Sequence, residues 1–147
     1  MAPEGFTFSH ELAEETSWTA YRQRLEDLQA GRDRRGWVPM TFLLAEVDGT
    51  MVGRVSVRHR LNDLLIAHGG HIGYCVLAPY RRRGYATEML RQGLVVAGEV
   101  GVDRVLVTCD QDNVASARVI QRCGGRLDPD WPTSLAGATV VSRYWVE

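Results

Sequence analysis

Apolar residues recur along this chain in two rhythms, and the changes from one to the other mark its elements. Trp18, Tyr21, Leu25 and Leu28 fall at helical spacing and predict a helix over 18–30, with Ser17 or Thr16 as N-cap and Gly31 as stop. Residues 40–47 and 51–59 read as two strands joined at Asp48-Gly49, a strong hairpin dipeptide. Residues 60–70 read as a loop or short helix around Leu61, Leu64 and Leu65. An apolar run over 72–78 stops at Pro79, and a basic turn with Gly84 follows. From Tyr85 the period is helical again: Ala86, Met89, Leu90, Leu94, Ala97 and Val100 share a face, and Gly101 ends the pattern. Residues 104–108 predict a short buried strand. A second helix over 114–123 carries Ala115, Val119, Ile120 and Cys123 on one face, capped by Asn113 or Asp112 and stopped by Gly124-Gly125. Residues 126–128 begin a further strand, 129–137 form a loop and 138–146 a closing strand, while 1–17 read as an irregular lead.

The order is helix, hairpin, strand–helix–strand–helix, strand, which predicts one α/β domain over 1–147. A right-handed crossover through the 85–101 helix makes the strands on either side of it parallel. A length of 147 residues supports a real core, and 45% apolar with 24% charged residues is ordinary for a soluble globular chain. A net charge of −1 gives no overall pull toward nucleic acid or membrane. No apolar run is long enough to span a bilayer, and no basic-then-apolar signal pattern opens the chain. Three cysteines without C-x-x-C argue against a disulfide frame and a zinc site, so no metal is expected. The chain reads as cytoplasmic.

The strand–turn–helix over 71–101 has a chemical meaning. The first N–H groups of a helix lack intrahelical acceptors, and the helix dipole adds partial positive charge there. Gly84 lets backbone approach a ligand, and Arg81, Arg82 and Arg83 surround it with positive charge. The product is a site for phosphate or pyrophosphate. There is no GxxxxGK[ST], which sets aside a P-loop, and no GxGxxG, which sets aside a dinucleotide fold.

Arg81-Arg82-Arg83-Gly84-Tyr85-Ala86 reads R-x-x-G-x-A and resembles the acetyl-CoA pyrophosphate signature of the GNAT acetyltransferase superfamily, [Q/R]-x-x-G-x-[G/A]. GGHIGYCVLAPYRRRGYATEML and LVTCDQDNVASARVIQRCGG extend the resemblance over roughly 41–125, toward a bacterial branch of such enzymes. It implies a GNAT-like fold: a mixed central sheet with splayed parallel strands, flanked by helices. It implies acetyl-CoA, with its pyrophosphate on Arg81, Arg82, Arg83, Gly84, Tyr85, Ala86 and Thr87. The backbone of Cys75, Val76 and Leu77 would pair with the pantetheine, and Asn113 and Ser116 would reach the cofactor arm, Asn113 also serving as helix cap. The family's usual first strand is hard to find before Trp18.

By the same resemblance many members carry a tyrosine four residues after Ser116 to protonate the departing thiolate; here that position is Ile120. Tyr144, Tyr74, Cys109 and Ser116 are substitutes by residue type. His71, His59, His68, Glu46 and Asp110 are candidate bases, with Tyr144, His71 and Asp110 the preferred catalytic set. Cys75, Cys109 and Cys123 read as small buried apolar residues, and the four tryptophans as core or interface. The implied activity is direct acetyl transfer to a primary amine in a ternary complex; a non-catalytic acyl-CoA-binding sensor is the alternative. The acceptor is a small-molecule or peptide amine, in a pocket of the first helix, residues 60–70 and 129–137, with Trp131 on its wall. No nucleic acid or membrane partner is expected, and the family's habit of pairing through the last strand leaves a homodimer open.

Overall fold

The computed structural model describes residues 17–32, 35–131 and 140–147. The expected irregular lead, a strand before Trp18 and most of the 129–137 loop lie outside those residues. Helix α1 (Trp18–Gln29) begins at Ser17, whose hydroxyl accepts the Ala20 N–H at 3.2 Å, the expected cap. It buries Tyr21 and Leu28, but Trp18 of the same stripe is 67% exposed and leans on the Tyr21 ring.

Strands β1 (Met40–Val47) and β2 (Thr50–Arg58) meet at Asp48 and Gly49, whose φ values of 49° and 79° are those of the predicted tight turn. The short helix α2 (Asp63–Ala67) follows, capped by Asn62. Strand β3 (Ile72–Val76) pairs antiparallel with β2 and completes the sheet β1-β2-β3. It ends before residue 78, the expected limit, because Pro79 has no N–H for a ladder; Ala78–Tyr80 wind into a 3-10 turn instead.

Helix α3 (Tyr85–Glu99) lies across β2 and β3 and buries Met89, Leu90, Gly93 and Ala97. A Cβ on Gly93 would stand 3.3 Å from side-chain carbons of Ile72 and Val55, so the missing side chain sets how closely helix and sheet pack. Val100, expected on this face, falls past the helix end and is 37% exposed.

Strands β4 (Val105–Asp110), β5 (Arg126–Leu127) and β6 (Val141–Val146) form a second antiparallel sheet in the order β4-β6-β5. Helix α4 (Val114–Arg122) packs on α3 and β4. Its buried face carries Val119, Ile120 and Cys123 as expected, with Ile120 fully buried, and adds half-buried Ser116 and Ala117, whereas Ala115 is exposed. The three cysteines are free and half-buried rather than fully buried. At the far side of this sheet Asp128 is 13% exposed; it meets the Arg143 guanidinium at 3.2 Å and accepts the Trp145 Nε1–H at 3.0 Å.

The expected mixed sheet is therefore two antiparallel halves, and its parallel pair is the seam between them. His71 N–H donates to the Leu106 carbonyl at 2.7 Å, and Leu106 N–H donates to His71 Nδ1 at 2.8 Å. Past this joint no ladder joins β3 to β4 among the described residues. Both strands run from the joint toward the start of α4, where Tyr74 meets Ser116. Gly70 makes the joint possible: at φ 59° it brings backbone against the Leu106 carbonyl, where a Cβ would collide. One apolar cluster spans the seam, drawing Val55, Ile72 and Val76 from the first half and Val107, Tyr144 and Val146 from the second.

Candidate functional site

The basic turn opens α3 as expected. Gly84 is its N-cap at φ 85°, with no side chain to cap the helix, and the first-turn bond runs from Glu88 N–H to the Gly84 carbonyl at 3.2 Å. The N–H groups ahead of Glu88 have no earlier carbonyl of the helix to bond. A Cβ built on Gly84 would meet no described residue within 4 Å, which leaves the approach to these donors open among them. Arg81 to Gly84 are exposed, and Tyr85, Ala86 and Thr87 are half-buried. Arg81 Nε donates to the Val76 carbonyl at 3.1 Å and ties the turn to the end of β3. Arg83 stands over the Tyr80 ring at 5.7 Å. Arg82 takes φ 62°, a left-handed conformation that costs a non-glycine residue about 1 kcal/mol. Glu88 would repel an anion, but Gln92 and Arg91 hold its carboxylate at 2.8 and 2.7 Å, and those bonds lower its pKa. A pyrophosphate fits this set: outward N–H groups, room at Gly84 and guanidinium charge.

Beside the turn, the seam exposes one edge of β3. Leu77 N–H donates to the Val52 carbonyl, and Arg58 N–H to the His71 carbonyl. Hydrogen-bonded residues alternate in an antiparallel pair, so Cys75, opposite Arg54, also faces β2. Tyr74 and Val76 turn their backbone groups toward β4. The strand-like pairing expected of Cys75, Val76 and Leu77 narrows to Val76 among those three, because β2 already uses the other two.

On the α4 side of the seam, Tyr74 Oη and Ser116 Oγ lie 2.7 Å apart. Burial pushes the Tyr74 phenol up to about 12, partly offset by the Ser116 bond. Cys109 of β4 borders the same group: burial and then Asp110 raise its thiol, while the Ser116 hydroxyl favours its thiolate. Tyr144, 6% exposed on β6, is raised by burial and by Cys109. Asn113 caps α4 with Oδ1, accepting Ser116 N–H at 3.0 Å, which leaves its NH₂ as a donor. Asp110 is exposed at the end of β4.

The structure thus gathers Tyr74, Cys109, Asn113 and Ser116, with Tyr144 beside Cys109. It leaves His71 in the joint, where burial and then Arg58 lower its pKa, so the imidazole stays neutral with its proton on Nε2. His59 is held by Thr41 Oγ1 at 2.8 Å, His68 ends α2, and Glu46 lies on β1. Trp131 lies under the Arg143 guanidinium at 4.1 Å. Sequence reasoning named Tyr74 and Ser116 separately but missed their bond; Tyr74 sharing the inward face of β3 with Ile72 and Val76 was the available signal. A cleft of about 490 Å³ between Arg104, Arg126, Asp128 and Trp145 shares no residue with the turn. Among the described residues no cluster of His, Cys, Asp and Glu could hold a metal ion, and no helix is long and apolar enough to cross a membrane.

Residues 2–126 match the family described as Acetyltransferase (GNAT) domain. No curated protein matches the chain in sequence. The fold is similar to yncA of Salmonella typhimurium, solved with its cofactor acetyl-CoA. That likeness has a TM-score of 0.61 and 17% identity, over 86% of this chain and 73% of the other. A GNAT-family acetyltransferase from Streptococcus pneumoniae is similar at TM-score 0.60 and 14% identity, over 90% of this chain and 76% of that one. The ribosomal-protein-alanine N-acetyltransferase of Brucella melitensis is similar at 0.58 and 19%, over 85% and 76%.

Proposed function

Because the chain belongs to the GNAT acetyltransferase family, we propose that it carries the acetyl group of acetyl-CoA directly to a primary amine in a ternary complex, without an acyl-enzyme. The observation that carries the reading is the uncapped start of α3 at Gly84, open to a ligand and ringed by Arg81, Arg82 and Arg83. Its N–H groups, with Tyr85, Ala86 and Thr87, hold the pyrophosphate. Acetyl-CoA supplies an activated acyl carbon. The chain supplies Val76 N–H at the open edge of β3 to polarise the thioester carbonyl, and Asn113 NH₂ and Ser116 Oγ on the opposite side of the seam. The amine nitrogen bonds to the acyl carbon, the carbon–sulfur bond breaks with its electron pair on sulfur, and the nitrogen gives its proton to Asp110 or water. His71 acts as a positioning residue that sets the angle of the seam, and Tyr144 stays protonated beside Cys109.

The acceptor class is a small-molecule or peptide amine. The domain spans 1–147 and works in the cytoplasm, and the end of the second sheet offers a route to a homodimer. One observation favours a second reading, a non-catalytic acyl-CoA sensor: Ile120 is sealed in the core, where many relatives place an acid. The two readings separate in one experiment, thermal unfolding with acetyl-CoA beside ATP and NAD, followed by thiol release on an amine panel. A ligand at about 100 times its Kd adds about 2.7 kcal/mol, or roughly 2–8 °C. A shift with acetyl-CoA alone and thiol release on an amine support transfer. A shift without release on any amine supports the sensor, and no shift sinks both.

A further inference from the structure

We propose that Tyr74 is a positioning residue for this transfer: its phenol fixes the Ser116 hydroxyl as a hydrogen-bond donor to the sulfur of the departing coenzyme A. The inference rests on the acyl-transfer reading above. Tyr74 belongs to β3 and Ser116 to the first turn of α4, 42 residues later, so their bond crosses the seam between the sheet halves. At 2.7 Å it has the length of a good O–H···O bond, whereas the Ser116 carbonyl lies 3.4 Å from the phenol.

Either oxygen could donate across this contact, and the proposal takes the phenol as the donor. A serine hydroxyl has one hydrogen and two lone pairs. If the phenol donates to Oγ, the serine hydrogen is left to point elsewhere. The reverse arrangement leaves the phenol hydrogen a 3.4 Å contact to a carbonyl of the helix. The phenol, raised to about 12 by burial, remains a donor throughout the neutral range.

Cys109 of β4 lies beside the same hydroxyl. The Ser116 hydroxyl favours the thiolate of Cys109 against the burial and the Asp110 charge that oppose it. The leaving group of acetyl transfer is the same kind of acceptor, a thiolate. Asn113 fixes the serine from behind through its N–H at 3.0 Å. As the carbon–sulfur bond breaks, the pair left on sulfur accepts the Ser116 hydrogen bond. No proton leaves Ser116 or Tyr74, and the thiolate takes its proton from water after release.

The test needs no knowledge of the acceptor. Coenzyme A and acetyl-CoA are titrated calorimetrically into the wild type, Tyr74→Phe, Ser116→Ala and the double variant, at about pH 7 and about pH 9.5, either side of a thiol pKa. In the wild type the affinity for coenzyme A, relative to acetyl-CoA, rises with pH by about tenfold as the thiol ionises against a donor. Tyr74→Phe keeps the ring that packs on the core, keeps acetyl-CoA affinity and loses most of that rise. Ser116→Ala loses it equally, and the double variant loses no more than Ser116→Ala. A wild-type pH response in Tyr74→Phe overturns the proposal, and so do losses that add in the double variant. If Tyr74→Phe unfolds, a wild-type response in Ser116→Ala overturns it alone. A wild type that binds neither ligand fails the acyl-transfer reading instead, which a flat pH response with normal acetyl-CoA binding does not.

Discussion

Gly84 and His71 show how single residues set this site. A side chain at Gly84 would meet open space in the free protein, so Gly84→Val is resisted only by its φ of 85°, a cost of about 1–2 kcal/mol. The added branches would stand where an anion approaches the helix. The fold is expected to survive while the acetyl-CoA-dependent rise in melting temperature vanishes; a full rise in the variant would dismiss the anion site. His71 gives a pH dependence. Its folded pKa lies below the ordinary 6.5, so unfolded chain takes up a proton before folded chain does. Its contribution is complete above about pH 6.5 and drains away as pH falls from there through the lowered folded pKa. His71→Ala should remove that slope and cost about 1–3 kcal/mol at neutral pH, because the Leu106 N–H loses its buried acceptor. Urea midpoints at several pH values check both, and His59, whose pKa burial also lowers, adds a slope of its own in the variant.

Among the elements, α4 separates two jobs that meet in one residue. Asn113→Ala should cost about 1 kcal/mol through the lost cap. Asn113→Asp retains the capping oxygen and exchanges NH₂ for charge, so unchanged stability with weakened acetyl-CoA binding would assign the amide to the ligand. The elements themselves were legible wherever the signal was local. Asp48-Gly49 turns the hairpin, Ser17 and Asn113 cap their helices, and Gly84 opens α3 where the period changes. Contacts across the seam were not legible. Nothing in the spacing of 114–123 says that Ser116 and Ala117 turn inward while Ala115 does not; β4 and α3 decide that. Nor can a strand of five residues announce that its neighbour will peel away after one joint, or that Tyr74 will reach a helix 42 residues on. Those facts depend on packing between distant segments, which periodicity does not encode.

For the molecule as a whole, the second sheet carries a buried ion pair. Arg143 and Asp128 are 8% and 13% exposed, and Arg143 Nε is buried without a hydrogen-bond partner among the described residues. Removing the carboxylate leaves a buried guanidinium uncompensated and the Trp145 N–H unmatched, so Asp128→Ala should cost about 3–5 kcal/mol by denaturant titration. A loss below ~1 kcal/mol would mean that water already serves these groups. The seam carries a different implication. Every strand of the first sheet precedes α3 and every strand of the second follows it, so the border between the halves is also a border along the chain. Gly101, at φ 86° with open space around it, marks that border in an exposed turn. A cut there severs one covalent link and, among the described residues, no ladder. Co-expressed fragments 1–101 and 102–147 should therefore find each other through the shared apolar cluster and act as a split protein, with the acetyl-CoA-dependent thermal shift returning when both are present and missing from either one.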